Sequence, residues 1–162
     1  MLLSEPPLNP KKNREELVTL MFEEFKVPKL YIANQAVMSL FATGKTTGTV
    51  LDIGEGISHA VPIFEGYAIP HAIQTIDLCG NDITKYLHQI LMNNEPDLIT
   101  DSFDDFEEVK KIKEKMCFMA LDFDAELKQA QEQSNIEKTY MLPGDKPLKL
   151  KEELIRAPDL LF

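Results

Sequence analysis

With 162 residues, 44% of them hydrophobic, the chain can fill one domain core or two small lobes. A formal net charge of −10 argues against a nucleic-acid surface, which needs clustered Lys and Arg to neutralise phosphates. No apolar run approaches the roughly 20 residues that span a membrane, and MLLSEPPLNP has neither the basic start nor the long apolar centre of a secretory signal.

Met1 to Leu3 read as the end of a buried strand with nothing before them to pair with, and the chain closes on the apolar APDLLF. Both ends are expected to be cuts through a larger fold. NPKKNREELVTLMFEEFKV predicts a helix, with Asn9 as its cap and Pro10 at the first helical position, where a missing N–H costs nothing. Val18, Met21, Phe22 and Phe25 fall on one stripe, expected to be buried, and Pro28 is the expected stop. KLYIA is a short strand, followed by the helix NQAVMSLFATG, which Gly44 ends.

The pattern then turns extended. TGTVLDIG, ISHAVPIFEGY and HAIQTIDL are β-rich segments broken by Gly and Pro, and their short connections predict an antiparallel meander. In the middle segment Ile57, His59, Val61 and Ile63 share one face, with a break expected at Pro62. From Gly80 the chain is helical again. Asn81 or Asp82 is the expected cap of ITKYLHQILMN, where Ile83, Leu87, Ile90 and Leu91 line one side. An acidic loop follows, and Ser102 caps a second helix with the stripe Phe106, Val109, Ile112, Met116 and Met119. Lys110, Lys111, Lys113 and Lys115 alternate with acids there and read as a solvated face. Residues 121–135 are a helix or a loop, and KTYMLPGDKPLKL is a hairpin turning at Pro143-Gly144-Asp145. Cys79 and Cys117 stand in apolar settings without CxxC spacing and read as buried free thiols of a reducing compartment. The order of elements is that of an α/β protein, a β-meander with flanking helices and then a helical lobe with a hairpin. Its character changes near residue 79.

The stretch DIGEG, residues 52–56, carries the sharpest chemistry. A strand ending in Asp52 puts a carboxylate at the sheet edge, where it can hold a metal-bound water. Gly54 and Gly56 permit positive φ and leave backbone N–H groups uncovered, as an anion nest requires; a plain hairpin turn has the same pattern. His59 can donate a hydrogen bond to a water near a terminal phosphate, and is otherwise an ordinary strand histidine. Gln35, at the head of a short helix, carries an amide that can orient an attacking water without taking its proton. Glu114 can hold a ribose hydroxyl and the Lys113 stem can pack on a base, or both belong to a charged helix face. Gly80 either admits a nucleotide closely or punctuates a turn. His71 and His88 lack partners at metal-ligand spacing, and ATGKTTG lacks the frame of a phosphate loop.

Read continuously from LLSEPPLNPKKNREELVTLMFEEFKV through PKLYIANQAVMSLFATGKTTGTVLDIGEG, and again in VPIFEGYAIPHAI, LDFDAEL, IEKTYMLP and APDLLF, the chain resembles actin. The likeness covers essentially all of it, strongest to about residue 92 and patchier from 93 to 111. It implies a partial actin-like ATPase fold of the ribonuclease H-like kind. Residues 1–42 would be the end of subdomain one, 43–78 the first part of subdomain three with its phosphate loop, and 79–162 subdomain four. In that frame DIGEG is the second phosphate-binding loop. Asp52 holds magnesium through water, Gly54, Gly56 and Ile57 face phosphate, and Glu55 reaches further into the cleft than the family's Asp. Gln35 and His59 position the hydrolytic water, while Gly80, Lys110, Lys113 and Glu114 surround the adenosine.

The resemblance further implies ATP or ADP with magnesium or calcium as the ligand, self-association, actin-binding proteins or motors as partners, and a cytoplasmic, cytoskeletal setting with no nucleic acid or membrane. It also implies that the chain is a central slice, starting after the first phosphate loop and stopping before the glycine-rich adenine loop. Two departures stand out. Ile53 replaces a Ser whose hydroxyl can meet phosphate, and Lys110 replaces an Arg that offers a flat stacking surface. Hence two expectations: a filament-forming ATP hydrolase in the full-length family, or a truncated or divergent interaction or scaffold subunit without ATPase activity of its own.

Overall fold

A computed structural model describes residues 1–132 and 137–161, which divide into two compact units at residues 77 and 78. The last three residues of the 121–135 stretch and the terminal Phe162 lie outside the described residues.

In the first unit, β1 (Leu2–Glu5) pairs in parallel with β2 (Tyr31–Asn34), so the opening strand does have a partner, and Leu2 is exposed rather than buried. Between them runs α1 (Lys11–Thr19), which passes into a π-helical turn over Leu20–Glu24. That wider turn adds a residue to the repeat and swings the expected stripe off register. Met21 is buried, while Phe22 and Phe25 face solvent. The helix stops at Lys26, which takes a left-handed φ of 52°, two residues before Pro28. Its cap also differs from expectation: Pro10 holds the N-cap position without a side-chain bond, while Asn9, one residue before it, donates from Nδ2 to the Glu5 carboxylate at 3.0 Å and accepts at Oδ1 from Asn13 Nδ2 at 3.4 Å.

Glu5 is buried, held by Arg14 Nε at 3.0 Å and by a second bond from the same guanidinium. Burial alone would raise the carboxyl's pKa, but the bonds from Arg14 and Asn9 and the Arg14 charge outweigh it and hold it below the ordinary 4.5. The folded carboxylate therefore binds its proton less tightly than the unfolded one. Its contribution to stability is complete above pH 4.5 and is lost as pH falls through the lower folded value. In thermal melts from pH 6 down to pH 3, Glu5→Gln is expected to lower stability at pH 6 and to flatten the acid limb; parallel curves for wild type and variant would contradict this.

α2 (Gln35–Ala42) packs on an antiparallel sheet of β3 (Gly48–Ile53), β4 (Ser58–Phe64), β5 (Tyr67–Ala68) and β6 (Gln74–Ile76). β4 is central, with β3 on one edge and β5 then β6 on the other, so the third arm of the expected meander is interrupted by a 3₁₀ turn at Pro70–Ala72. Pro62 does not break β4; it sits within the ladder opposite Thr49. Val61 and Ile63 bury with Ala36 and Leu40 of α2, which is the face expected from the alternation. Ile57 lies outside the strand and is exposed. Glu65 and Gly66 both take positive φ in the turn from β4 to β5. A side chain at Gly66 would be strained by the left-handed φ and would have to push the Phe41 ring aside, which it would meet at 2.9 Å.

The second unit holds α3 (Gly80–Asn94), α4 (Phe103–Met116), α5 (Phe123–Glu132), the hairpin β7 (Lys138–Leu142) and β8 (Lys146–Leu150), and α6 (Glu153–Asp159). Its core joins Leu87 and Leu91 of α3, Val109 and Ile112 of α4, Leu148 and Leu150 of β8, and Leu154 of α6. Ser102 caps α4 by accepting from Asp105 N, and Met119 falls beyond the helix and is exposed. The hairpin turns at residues 143–145, where Gly144 and Asp145 both take positive φ. His88 is buried, donating from Nε2 to the Thr100 carbonyl at 2.9 Å and meeting the Phe106 ring edge to face. Cys79 is buried but Cys117 only half-buried, and burial pushes the Cys117 thiol up to about 11. No described helix is long and apolar enough to cross a membrane.

Candidate functional site

The first unit brings its candidate residues to the edge and end of one sheet. Asp52 lies near the end of the edge strand β3, directly opposite His59 of β4, and His59 is in turn opposite Thr75 of β6. Residues opposite one another in a ladder project to the same face, so Asp52, His59 and Thr75 form one cross-strand row. His59 is buried, and its Nδ1 lies 3.4 Å from Thr75 Oγ1. Asp52 is half-buried, and among the described residues its carboxylate makes no hydrogen bond or ion pair. A half-buried carboxylate keeps contact with solvent, and a hydrated cation can meet it there.

The turn joining β3 to β4 differs from the nest expected. Neither Gly54 nor Gly56 takes a positive φ; among the glycines that conformation belongs to Gly44, Gly66 and Gly144. Gly54 is needed for a different reason. Its N–H closes the turn on the Ile57 carbonyl at 3.1 Å, and a Cβ there would stand 2.9 Å from that oxygen. The N–H groups of Gly56 and Ile57 make no backbone hydrogen bond among the described residues, and a Cβ on Gly56 would meet open space. Glu55 and Ile53 are exposed on either side of Gly54. The turn thus offers fewer donors than a full nest, two N–H groups beside one carboxylate.

Gln35 opens α2, whose start is fixed by Asn34 accepting from Ala36 N at 2.9 Å. The Gln35 side chain is exposed, and its Nε2 reaches Ser4 Oγ of β1 at 3.5 Å. Parallel pairing of Ser4 with Ala33 lays β1 alongside the strand that leads into α2.

In the second unit the cap of α3 is Cys79, not Asn81 or Asp82. The thiol donates to Asp82 Oδ2 at 3.0 Å and the Cys79 N–H to the same oxygen at 3.2 Å, while the Asp82 N–H returns to the Cys79 carbonyl. The thiol bond, with Lys85 next, holds the Asp82 carboxyl below its ordinary range. The cap places Gly80 as the first helical residue, and its carbonyl accepts from both Thr84 Oγ1 at 3.1 Å and Lys113 Nζ at 2.9 Å. Lys113 is therefore not simply solvated: it is half-buried and tied across from α4 to the start of α3. Lys110 is half-buried one turn earlier on α4, whereas Glu114, Lys111 and Lys115 are exposed, Lys111 pairing with Glu108 at 2.6 Å. Gly80 and Lys113 thus meet, with Glu114 beside them in sequence and exposed.

No group of three or more His, Cys, Asp or Glu among the described residues could cage a metal ion. A hard divalent cation that keeps most of its waters fits a lone carboxylate, and the two N–H groups of the turn suit an anionic oxygen. Thr75 is the residue that sequence reading missed. Nothing in its type or spacing marks it, and only the pairing of β6 with β4 brings it to His59. A protein-family model described as Actin matches residues 1–162, the whole chain.

Proposed function

The chain belongs to the actin family, and from that premise we propose that it binds ATP or ADP with a divalent cation and couples slow ATP hydrolysis to filament assembly in the cytoskeleton. The observation that carries this reading is the row of Asp52 and His59 beside the open N–H groups of Gly56 and Ile57. Residues 1–42, 43–78 and 79–162 are then the end of subdomain one, the first part of subdomain three and subdomain four.

In this reading Asp52 orients waters of a bound magnesium or calcium ion, which supplies positive charge against the phosphates. The Gly56 and Ile57 N–H groups take a phosphate oxygen, with Gly54 holding the turn and Glu55 projecting beside it. Gln35 and His59 hold the attacking water in place, which suits phosphoryl transfer, where positioning and charge matter more than covalent help. Lys110, Lys113, Glu114 and Gly80 hold the nucleoside, the Lys stems packing on the base and the Glu114 carboxylate taking a ribose hydroxyl. Self-association and actin-binding proteins or motors are the expected partners.

A second reading is favoured by the same turn. With Gly54 N–H spent on Ile57 and an exposed isoleucine at 53 where a hydroxyl would help, the grip on phosphate is reduced, as in a divergent scaffold subunit without ATPase activity. A melting scan of the native protein separates the two. Mg-ATP at about one hundred times its Kd adds about 2.7 kcal/mol to stability, so a rise of several degrees is expected for a nucleotide-binding protein. A well-folded protein with no rise at millimolar Mg-ATP would leave the scaffold reading in its place.

A further inference from the structure

Resting on the reading above in which Gln35 holds the attacking water, we propose that the buried Glu5–Arg14 pair positions Gln35, acting through the β1–β2 ladder. Glu5, the last residue of β1, pairs in register with Asn34, the last residue of β2. Asn34 fixes the start of α2 by accepting from Ala36 N at 2.9 Å, and Gln35 stands between those two as the first residue of the helix. Neighbouring strands lie about 4.8 Å apart, so whatever fixes Glu5 also fixes the cap beside it. Ser4, the residue before Glu5, meets the Gln35 amide at 3.5 Å, a contact that lies with β1 whichever of the two groups donates.

Glu5 is 6% exposed and accepts from Arg14 Nε at 3.0 Å, from Arg14 Nη2, and from Asn9 Nδ2 at 3.0 Å. A carboxylate only accepts and a guanidinium only donates, so the two bonds between them run one way. Their fork geometry sets direction as well as distance. The one carboxylate thereby ties β1 both to α1 and to the turn between them, where Leu8 takes a left-handed φ of 58°. A bulky residue keeps such a backbone only where its surroundings hold it.

Among the described residues neither Glu5 nor Arg14 bonds to Gln35; the pair acts by where it holds the strand. A buried carboxylate stripped of part of its partner is drawn toward solvent, which moves the end of β1 and the α2 cap with it. In the step served, the water oxygen bonds to the terminal phosphorus while the bond to the bridging oxygen breaks and its electron pair leaves with ADP. The water's protons end on the released phosphate and solvent, and Gln35, Glu5 and Arg14 exchange none. An amide that only orients the water contributes through its placement, so a displaced Gln35 slows this step and leaves nucleotide affinity as it was.

The native protein is compared as wild type, Arg14→Lys, Gln35→Ala and the double variant. Mg-ATP affinity is measured by titration, hydrolysis in a single turnover, and the Gln35 side-chain amide by ¹⁵N NMR without nucleotide. Arg14→Lys keeps the charge but not the fork. It is expected to shift the Gln35 amide resonance and to slow hydrolysis roughly tenfold at unchanged affinity. On the already slow Gln35→Ala protein the same change is expected to cost nothing further, because residues that act through one another are not additive. Glu5→Gln, which breaks the pair from its other side, is expected to repeat the pattern, and it takes the place of Arg14→Lys in the cycle if that variant does not fold. A wild-type rate in both variants overturns the proposal. So does a further tenfold loss on Gln35→Ala, or a loss of affinity along with rate, either of which makes the pair merely structural. A wild type that turns over no Mg-ATP overturns the hydrolase reading instead, and the Gln35 resonance then decides alone: moved in both variants, the pair sets its place; unmoved, it does not.

Discussion

Asp52→Asn is expected to lower the affinity of the native protein for Mg-ATP by roughly a hundredfold, the upper end of what one charged hydrogen-bonding group contributes. The substitution keeps size and shape, and Asp52 has no protein partner among the described residues, so the fold loses little. What changes is charge. A carboxylate at the end of an edge strand attracts the waters of a divalent cation; an amide of the same shape presents a donor and half the acceptors. The metal dependence makes the result specific. With EDTA present, wild type is expected to bind ATP no more tightly than the variant, because without the cation Asp52 adds only repulsion toward the phosphates. Equal loss with and without magnesium would mean that Asp52 shapes the turn, and unchanged affinity would return residues 52–56 to an ordinary hairpin. Titration calorimetry in both buffers separates these outcomes.

Whether a feature was legible in the sequence depended on how local its cause was. Ser102 as a cap, Gly44 after α2 and the turn at residues 143–145 rest on interactions within a few residues, and each took the place expected of it. The apolar face of β4 was likewise legible at Val61 and Ile63, since alternation is a local property. The misses share a different cause. Asn9 has the side chain of a helix cap, but its oxygen accepts from the Asn13 side chain and its Nδ2 donates to Glu5 of the preceding strand, and Pro10 stands at the boundary. A π turn shifted Phe22 and Phe25 out of a stripe that a uniform period of 3.6 would have buried. Cys79 caps α3 although thiols are poor caps by type, because Asp82 reaches back to both its sulfur and its N–H.

The candidate site divides in the same way. Asp52 and His59 were visible as residue types at a turn, and the pairing that puts them opposite each other follows from a short hairpin. Gly54 and Gly56 were visible too, but for the wrong reason: their φ values are ordinary, and close approach to the Ile57 carbonyl is what Gly54 permits. Thr75 on His59 and Lys113 on the Gly80 carbonyl join segments that sequence distance keeps apart. Such contacts are fixed by sheet register and helix packing, which no motif encodes.

That dependence of Lys113 on packing leads to the largest expected loss of stability. Leu87→Ala is expected to cost the second unit roughly 3 kcal/mol, within the range of about 2 to 5 for a buried leucine cut to alanine. Leu87 is fully buried in the core that joins α3, α4, the β7–β8 hairpin and α6, so the space it leaves is walled by several elements and cannot close by moving one. Leu87 lies two helical turns beyond Gly80, and Ile112, in the same core, precedes Lys113 on α4. The contact that sets the Lys113 ammonium on the Gly80 carbonyl is therefore carried by the layer that Leu87 fills. Urea titration followed by far-UV circular dichroism measures the loss, and amide exchange reports where it falls, with faster exchange expected along α3 and α4. Leu87→Met, which conserves volume, is expected to cost under about 1.5 kcal/mol and to leave exchange near wild type. If Leu87→Ala costs less than that, α3 is not held by this core, and the position of Lys113 on Gly80 must have another cause.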